Sequence, residues 1–137
     1  MLIHDWRKPA PVKGVTVENE TMNWFRLPGR SLEDAVFKNV KMRRALFNGH
    51  RMKSVKFLKS ELTQATFSNT SLENVDFTGS KLKNADFTNA RIKGSNFSGA
   101  DISGANFNGT TLDTVNWEGV IYDCATRGAP LPAKVCQ

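Results

Sequence analysis

The residues of this 137-residue chain with the most distinctive chemistry are its two cysteines, Cys124 and Cys136, near the C-terminal end. Two thiols at this spacing could form a disulfide, worth roughly 3 kcal/mol in the chain-entropy treatment. A disulfide would indicate an oxidising compartment, whereas two reduced thiols would indicate the cytosol. No metal site is expected, because the chain has no Cys-x-x-Cys pair and its histidines, His4 and His50, lie far off in sequence.

No group of residues has the spacing of a catalytic site. The chain lacks the Gly-x-Ser-x-Gly, phosphate-loop and His-Glu-x-x-His patterns. Asp76, Asp86 and Asp101 each directly precede a large apolar residue at a regular position, so we interpret them as turn-forming side chains rather than acid–base catalysts. The sequence therefore predicts a protein that is not an enzyme and that needs neither a metal nor a cofactor.

Basic residues are concentrated in one stretch of the chain. Residues 35–60 contain eight bases and no acid, and the whole chain has a formal net charge of +6. Together with two later lysines they form the candidate binding surface: Lys38, Lys41, Arg43, Arg44, Arg51, Lys53, Lys56, Lys59, Lys81 and Lys83. These charges either solvate the surface or attract an acidic protein or another anionic surface. Specific nucleic-acid binding is not favoured, because no aromatic residues are interleaved with them to stack on bases.

The composition is that of one globular domain, with 39% hydrophobic and 23% charged residues. No apolar run approaches the roughly 18 residues of a membrane span, and the first residues do not read as a secretory signal. The compartment stays open between the cytoplasm and the periplasm or exterior, the latter being favoured if the cysteines are bonded.

The elements that position these side chains follow a repeat of five residues. Eight phenylalanines lie ten residues apart, and a tryptophan continues the series: Phe37, Phe47, Phe57, Phe67, Phe77, Phe87, Phe97, Phe107 and Trp117. A second apolar series lies midway: Met42, Met52, Leu62, Leu72, Leu82, Ile92, Ile102, Leu112 and Tyr122. The residue two positions before each is small, except His50. The residue two positions after is mostly Asn or Gly, which favour tight turns.

A period of five fits neither an α-helix nor a β-strand. It requires a chain that turns a corner every five residues and points two of every five side chains inward. One such unit cannot bury its own apolar residues, whereas stacked coils joined by backbone hydrogen bonds can. The pattern therefore predicts an all-β solenoid with a narrow core.

The repeat resembles that of the pentapeptide-repeat family, a tandem Ala-(Asp/Asn)-(Leu/Phe)-x-x. The clearest matches are residues 85–89, 100–104 and 105–109, which read Ala-Asp-Phe-Thr-Asn, Ala-Asp-Ile-Ser-Gly and Ala-Asn-Phe-Asn-Gly. The resemblance covers residues 35–124 and implies a right-handed quadrilateral parallel β-helix of about 4.5 coils, each of four pentapeptides. At about 4.8 Å per coil the rod would be about 22 Å long.

Twenty residues per coil divide the repeat into four faces. Two opposite faces would stack aromatic rings inside, and the other two would stack aliphatic side chains. On the outside, each aliphatic face would carry four bases: Lys41, Arg43, Lys81 and Lys83 on one, and Arg51, Lys53, Arg91 and Lys93 on the other.

We place the β-helix at residues 35–122, an N-terminal cap at residues 1–34 and a C-terminal cap or tail at residues 123–137. Caps are expected because an open stack of coils exposes backbone edges. In the N-terminal cap we expect a strand at residues 15–17 and expect Trp24 and Phe25 to cover the first coil. A homodimer through an uncovered end coil, at Tyr122 or at the N-terminal cap, stays open.

His50 is the one departure from small residues at its position. We interpret it as a local bulge or an outward-pushed corner, with a histidine switch as the alternative.

Three functions are compatible with these features. The first is a non-catalytic scaffold that presents flat solenoid faces, with a basic N-terminal end, to an unidentified protein partner. The second follows from the resemblance alone: some family members mimic B-form DNA and bind DNA gyrase, a function disfavoured here by the +6 charge. The third is a structural or assembly element of the periplasm or a lumen, based on the candidate disulfide and on similar cysteine-bearing tails in some secreted family members.

Overall fold

A computed structural model describes residues 11–27 and 31–136 of the chain. These residues form short β-strands joined by tight corners, with no helix among them. The strands are β1 (Val12–Lys13), β2 (Thr16–Glu18), β3 (Leu32–Glu33), β4 (Val36–Lys38), β5 (Arg51–Lys53), β6 (Lys56–Leu58), β7 (Ser71–Glu73), β8 (Arg91–Lys93) and β9 (Thr111–Asp113). Each has two or three residues because the chain turns again within five.

The corners are made by residues in the left-handed region of backbone conformation. From Gly14 to Gly119, the described residues two positions after each inward centre all have positive φ. Glycine and asparagine adopt this conformation readily, but the larger Lys59 also adopts it, at φ 49°. The coil stack therefore imposes the corner even where the sequence departs from Asn or Gly.

The coils stack in parallel with a separation of twenty residues. The strand order is β1-β3-β5-β7-β8-β9 in one sheet and β2-β4-β6 in a second, and isolated parallel bridges such as Lys41↔Glu61 and Leu46↔Thr66 continue the other two sides. The first sheet has six strands, so the solenoid makes about five turns. The predicted all-β parallel β-helix is confirmed.

We name the four sides by their inward residues. Face A has Val12, Leu32, Met52, Leu72, Ile92 and Leu112; face B has Val17, Phe37, Phe57, Phe77, Phe97 and Trp117; face C has Met22, Met42, Leu62, Leu82, Ile102 and Tyr122; and face D has Leu27, Phe47, Phe67, Phe87 and Phe107.

Aromatic rings from faces B and D fill the core. Within each face successive phenylalanine rings stack at centroid distances from 4.7 Å (Phe87 and Phe107) to 5.4 Å (Phe57 and Phe77). Across the core, rings of the two faces meet edge-on, for example Phe67 and Phe77 at 5.5 Å. All eight phenylalanines from residue 37 to residue 107 are buried, which keeps their rings away from any surface function.

The solenoid begins earlier than residue 35, so the predicted N-terminal boundary is corrected. Val12 pairs with Leu32, and β2 pairs with β4 along its whole length, from Thr16↔Val36 to Glu18↔Lys38. Much of the predicted cap is therefore a coil. Residues 1–10 and 28–30 of that cap lie outside the described residues.

Phe25 explains why the repeat pattern in the sequence did not reveal this first coil. On face B the coil has Val17 where later coils have phenylalanine, which leaves room in the core. Phe25 stands at a position that later coils fill with a small residue, and its ring lies 6.4 Å from Phe37 and 5.8 Å from Phe47. Trp24 does not cover the coil as expected: it is 60% exposed, under the Arg44 guanidinium.

No bulge occurs at His50. The pairs on either side of it, Leu46↔Thr66 and Arg51↔Ser71, both keep the separation of twenty residues. An inserted residue would change the separation between them, so the interpretation of His50 as a bulge is wrong.

His50 instead bonds to the coil below it. Its Nε2 contacts the carbonyl oxygen of Leu27, and its Nδ1 lies 3.1 Å from the carbonyl oxygen of Asn48. Ser60 makes the same type of bond, since its hydroxyl donates to the carbonyl of Phe37, also twenty-three residues earlier, at 3.0 Å. A polar side chain at this position thus joins successive coils.

Candidate interaction surface

The acidic side chains singled out in the sequence are engaged in turns. Asp76 Oδ1 accepts the amide N–H of Thr78 at 2.9 Å. Asp86 and Asp101 accept the N–H two residues ahead in the same way, at 2.9 and 3.0 Å. These are Asx turns, in which the carboxylate fixes its own backbone.

The ten bases of the predicted surface do not share one face. They are placed as follows: Lys38 and Lys56 on face B; Lys41, Arg43, Lys81 and Lys83 on face C; Arg51 and Lys53 on face A; and Arg44 and Lys59 at corners. Eight of them therefore surround the second and third coils, and Lys81 and Lys83 lie in the fourth, so the ten do not form one patch.

One group of these bases lies along face B and at its corner with face C, and we call it the basic corner. Its members are Lys38, Lys41, Lys56 and Lys59, all exposed. Lys38 and Lys41 flank the corner in one coil, and Lys59 occupies it in the next coil, directly after Leu58, which pairs with Lys38. Lys56 lies at the other end of the face B strand, where it pairs with Val36.

The backbone under the basic corner is held by a buried hydroxyl. Ser60 Oγ donates to the carbonyl oxygen of Phe37 at 3.0 Å and accepts the N–H of Val40 at 3.2 Å. Because Ser60 directly follows Lys59 and Val40 directly precedes Lys41, these bonds fix the relative positions of the two coils at the corner. The lysines thus project from a rigid base.

Acids separate the remaining bases of face C. Arg43 Nε lies 3.5 Å from Glu61 Oε1, and Lys83 Nζ lies 3.8 Å from Asp101 Oδ2. Glu61 also stands between Lys41 and Lys81 in the stack. The column of face C that holds Lys41, Glu61, Lys81 and Asp101 therefore alternates in charge, and the four predicted bases do not form a continuous basic strip.

Face A carries two outward columns of side chains. The charge column reverses sign at every coil: Lys13, Glu33, Lys53, Glu73, Lys93 and Asp113. The spacer column alternates small and large residues over most of its length: Pro11, Ser31, Arg51, Ser71, Arg91 and Thr111. Lys13 and Glu33 form an ion pair at 3.7 Å. The sequence-based prediction of this surface considered the bases alone and missed these acids, although each lies twenty residues from a base of the same column.

The C-terminal tail covers the last coil. A disulfide joins Cys124 to Cys136, with a Cα–Cα distance of 5.9 Å. The Tyr122 hydroxyl donates to the carbonyl oxygen of Pro132 at 2.8 Å, and Lys134 Nζ lies 4.3 Å from the centre of the Tyr122 ring. The tail thus folds back over the inward tyrosine of the final coil.

Removing this disulfide is expected to release the tail and destabilise the last coil. Cys136→Ser should cost up to about 3 kcal/mol by the chain-entropy treatment, and less where the coils unfold independently of the tail. Thermal denaturation with and without a reductant measures the effect. Reductant should leave the melting temperature of Cys136→Ser unchanged; a reductant-induced fall in the variant would contradict this assignment.

The Asp123 carboxylate accepts a hydrogen bond from the corner N–H of the coil before it. Its Oδ1 accepts the N–H of Gly104 at 2.9 Å and that of Ala125 at 3.0 Å. The Gly104 N–H is the main reason that the pKa of the Asp123 carboxyl is lowered from its ordinary 3.8; bonds from Ala125 and Thr126 add to this and burial opposes it.

This lowered pKa predicts an acid-labile C-terminal end. A carboxyl whose pKa is lower in the folded state contributes stability above its unfolded pKa and loses it as the pH falls through the folded pKa. An NMR titration of the Asp123 carboxyl carbon should have its midpoint below 3.8. The stability advantage of wild type over Asp123→Asn should shrink over the same pH range; a midpoint at or above 3.8 would exclude the arrangement.

Residues 11–27 and 31–136 contain no helix long and apolar enough to cross a membrane. The same residues hold no cluster of three or more His, Cys, Asp or Glu side chains arranged for a metal ion.

A protein-family model, described as a pentapeptide repeat region, matches residues 25–97 of the chain. A second, overlapping match covers residues 40–117. Together these cover about two-thirds of the chain. The chain belongs to the pentapeptide-repeat family. The family is generally non-catalytic, and no curated protein sequence matches the chain significantly.

Solved structures of pentapeptide-repeat proteins share the fold. Rfr23 from the cyanobacterium Cyanothece 51142 is 22% identical, with 85% of this chain and 86% of that chain covered and a TM-score of 0.62. A thylakoid-lumen pentapeptide-repeat protein of Arabidopsis thaliana is 27% identical, with 68% of each chain covered and a TM-score of 0.54. QnrB1, a plasmid-mediated fluoroquinolone resistance protein, is 14% identical in one trypsin-treated form, with 90% and 86% covered and a TM-score of 0.53.

Proposed function

We propose that this pentapeptide-repeat protein is a non-catalytic scaffold that binds an acidic protein partner through its basic corner. The observation that carries the proposal is the basic corner itself: four exposed lysines in two adjacent coils, on a backbone held by Ser60. The lysines outnumber the acids that pair with them in neighbouring coils, Glu18, Glu61 and Asp76. A surface with an excess of one sign of charge steers an oppositely charged partner toward it.

The other reactive side chains are committed to the fold, which supports a binding rather than a catalytic role. The carboxylates of Asp76, Asp86 and Asp101 close Asx turns, and both ring nitrogens of His50 contact backbone carbonyls. A general acid or base must instead reach a bound substrate.

The test compares two variants that remove the same charge from different surfaces. Lys38, Lys41, Lys56 and Lys59 are replaced by Gln in one; Arg51, Lys81, Lys83 and Arg91 are replaced by Gln in the matched control. Each immobilised protein is exposed to native lysate, and the captured proteins are quantified by mass spectrometry.

We expect acidic proteins to be captured by wild type and control and lost by the basic-corner variant. Equal capture by both variants would place the contact elsewhere and contradict the proposal, as would a wild type that captures nothing. Matching melting temperatures would show that both variants retain the fold.

The disulfide favours a second candidate, a structural or assembly element of the periplasm or a lumen. Disulfides persist in oxidising compartments, and the Arabidopsis relative comes from the thylakoid lumen. Alkylation of native cell extract before reduction should leave Cys124 and Cys136 unlabelled in this case. Complete labelling of both thiols would count against it.

The gyrase-modulating alternative receives less support. The similarity to QnrB1, at 14% identity, concerns the fold alone. One outer column of face A (Lys13 to Asp113) and one of face C (Lys41 to Asp101) alternate in sign, so neither face forms the continuous acidic surface that mimicry of DNA needs. Micromolar protein is therefore not expected to alter supercoiling by gyrase.

A further inference from the structure

The charge column of face A is electrostatically complementary to the same column running in the opposite direction. It has six levels with signs that alternate from Lys13 to Asp113. Reading such a column backwards exchanges every positive level for a negative one. Two copies of face A placed face to face and antiparallel would therefore oppose unlike charges at every level.

We propose that face A binds face A of a second copy of this chain in this antiparallel arrangement. The opposed pairs are Lys13 with Asp113, Glu33 with Lys93, and Lys53 with Glu73, each occurring twice by symmetry. A two-fold axis along the strand direction, between the third and fourth coils, generates them. This is an isologous contact, in which one surface serves both partners.

The spacer column supports the same arrangement through side-chain size. In the antiparallel arrangement Arg51 faces Ser71 of the second copy, and Arg91 faces Ser31. Beside Ser71 lies an open notch of about 370 Å³, bounded by Arg51, Asn69 and Arg91 among others. Each arginine thus meets a small residue at the levels where the charges match, while repulsion among the arginines of the two spacer columns weakens the contact.

Other face-to-face arrangements bring like charges together. A parallel arrangement sets the charge column against the spacer column, which places Lys53 opposite Arg51 and Lys93 opposite Arg91. An antiparallel arrangement displaced by one coil sets Lys13 opposite Lys93 and Glu33 opposite Glu73. The pattern therefore selects orientation and register together, because like charges in contact oppose association.

The proposed contact between the two copies of face A is small, so the dimer must be measured at high protein concentration and low salt. Five coil steps of about 4.8 Å make face A about 24 Å long, and its strands have two or three residues. Strands of this length make the face about 10 Å wide, so the dimer buries far less than the roughly 1,200 Å² of a standard interface and is expected to be weak. Charge pairs at its exposed rim are screened by salt. The dimer should therefore form at high protein concentration and dissociate as salt is added.

The alternation also places opposite charges next to each other within one molecule, so the test must separate the two effects. Sedimentation equilibrium is measured at low and high salt for wild type and three variants. The first variant is Lys53→Glu with Lys93→Glu on face A. Its matched control is Lys41→Glu with Lys81→Glu on face C, which changes the net charge equally.

The third variant reverses the whole charge column: Lys13→Glu, Glu33→Lys, Lys53→Glu, Glu73→Lys, Lys93→Glu and Asp113→Lys. It keeps the alternation within each molecule and its own self-complementarity, but it opposes like charges to wild type. It therefore remains informative even if the first variant folds poorly.

We expect salt-sensitive dimerisation of wild type, of the face C control and of the reversed variant. The Lys53→Glu, Lys93→Glu variant should stay monomeric, and wild type labelled with a fluorophore should not associate with the reversed variant. A wild type that is monomeric at every concentration and salt would overturn the proposal. So would dimers that persist in the face A variant, or mixed dimers as strong as either parent, since they would place the contact elsewhere.

This inference goes beyond the proposed function, because face A and the basic corner are different surfaces. The basic-corner Gln variant leaves the charge column intact and should still dimerise. Failure of one proposal is therefore distinguishable from failure of the other.

Discussion

Replacing Phe67 with alanine is expected to lower the free energy of unfolding by about 3–5 kcal/mol. The ring is fully buried, stacks on Phe47 at 5.2 Å and on Phe87 at 4.9 Å, and meets Phe57 and Phe77 edge-on at 6.0 and 5.5 Å. Backbone hydrogen bonds fix the spacing between this coil and its neighbours, so the neighbouring coils cannot move in to close the cavity. Urea denaturation measures the loss.

Trp117→Ala provides the control for this effect. Trp117 is larger than phenylalanine, but it lies half-buried in the last coil, against Phe97 at 5.0 Å and Phe107 at 5.5 Å. Each coil is stabilised mainly by its neighbours, so we expect a smaller loss than at Phe67. An equal or larger loss at Trp117 would show that ring size rather than position in the stack determines the cost.

Gly128→Ala is expected to destabilise the C-terminal end by about 2–5 kcal/mol. An added Cβ would lie 2.6 Å from the carbonyl carbon of Phe107 and 2.7 Å from the amide nitrogen of Asn108, and Gly128 has φ +74°. The left-handed conformation costs about 1–2 kcal/mol for a residue with a Cβ, and displacing packed neighbours about 1–3 kcal/mol. Backbone atoms cannot rotate away, so the tail must shift. Thermal denaturation reports the loss.

Gly99→Ala separates the two contributions. Gly99 has a similar φ of +65°, but no atom lies within 4 Å of the position of an added Cβ. Only the conformational cost remains, about 1–2 kcal/mol. If Gly128→Ala and Gly99→Ala lost the same stability, the close approach to Phe107 and Asn108 would not contribute.

The repeat could be predicted from the sequence wherever one large residue fills each core level. From residue 37 onward the ten-residue spacing of phenylalanine made the pattern unmistakable. The first coil has the same backbone geometry, but its large core side chain stands at a different position. Val17 is small, and Phe25 supplies the aromatic ring instead. The core requires a total volume at each level, and different positions can supply it.

The interaction surface was harder to predict because its neighbours are twenty residues apart in sequence. Lys83 and Asp101 lie in separate parts of the chain but are 3.8 Å apart in space. Residues 35–60 do hold eight bases, but the chain turns through all four faces over this length. Most of these bases therefore lie on different sides of the solenoid. Lys38 and Lys59 do come close, because adjacent coils pair Lys38 with the residue before Lys59.

The charge column of face A also constrains how such a chain could grow. The backbone and the core repeat after one coil of twenty residues, as in the pairing Met52↔Leu72, but the sign of the outward charge repeats only after two coils. Inserting one coil within the stack would keep the pattern of backbone hydrogen bonds between neighbouring coils, but it would set two like charges side by side. A duplication compatible with both the interior and this surface must therefore add forty residues at a time.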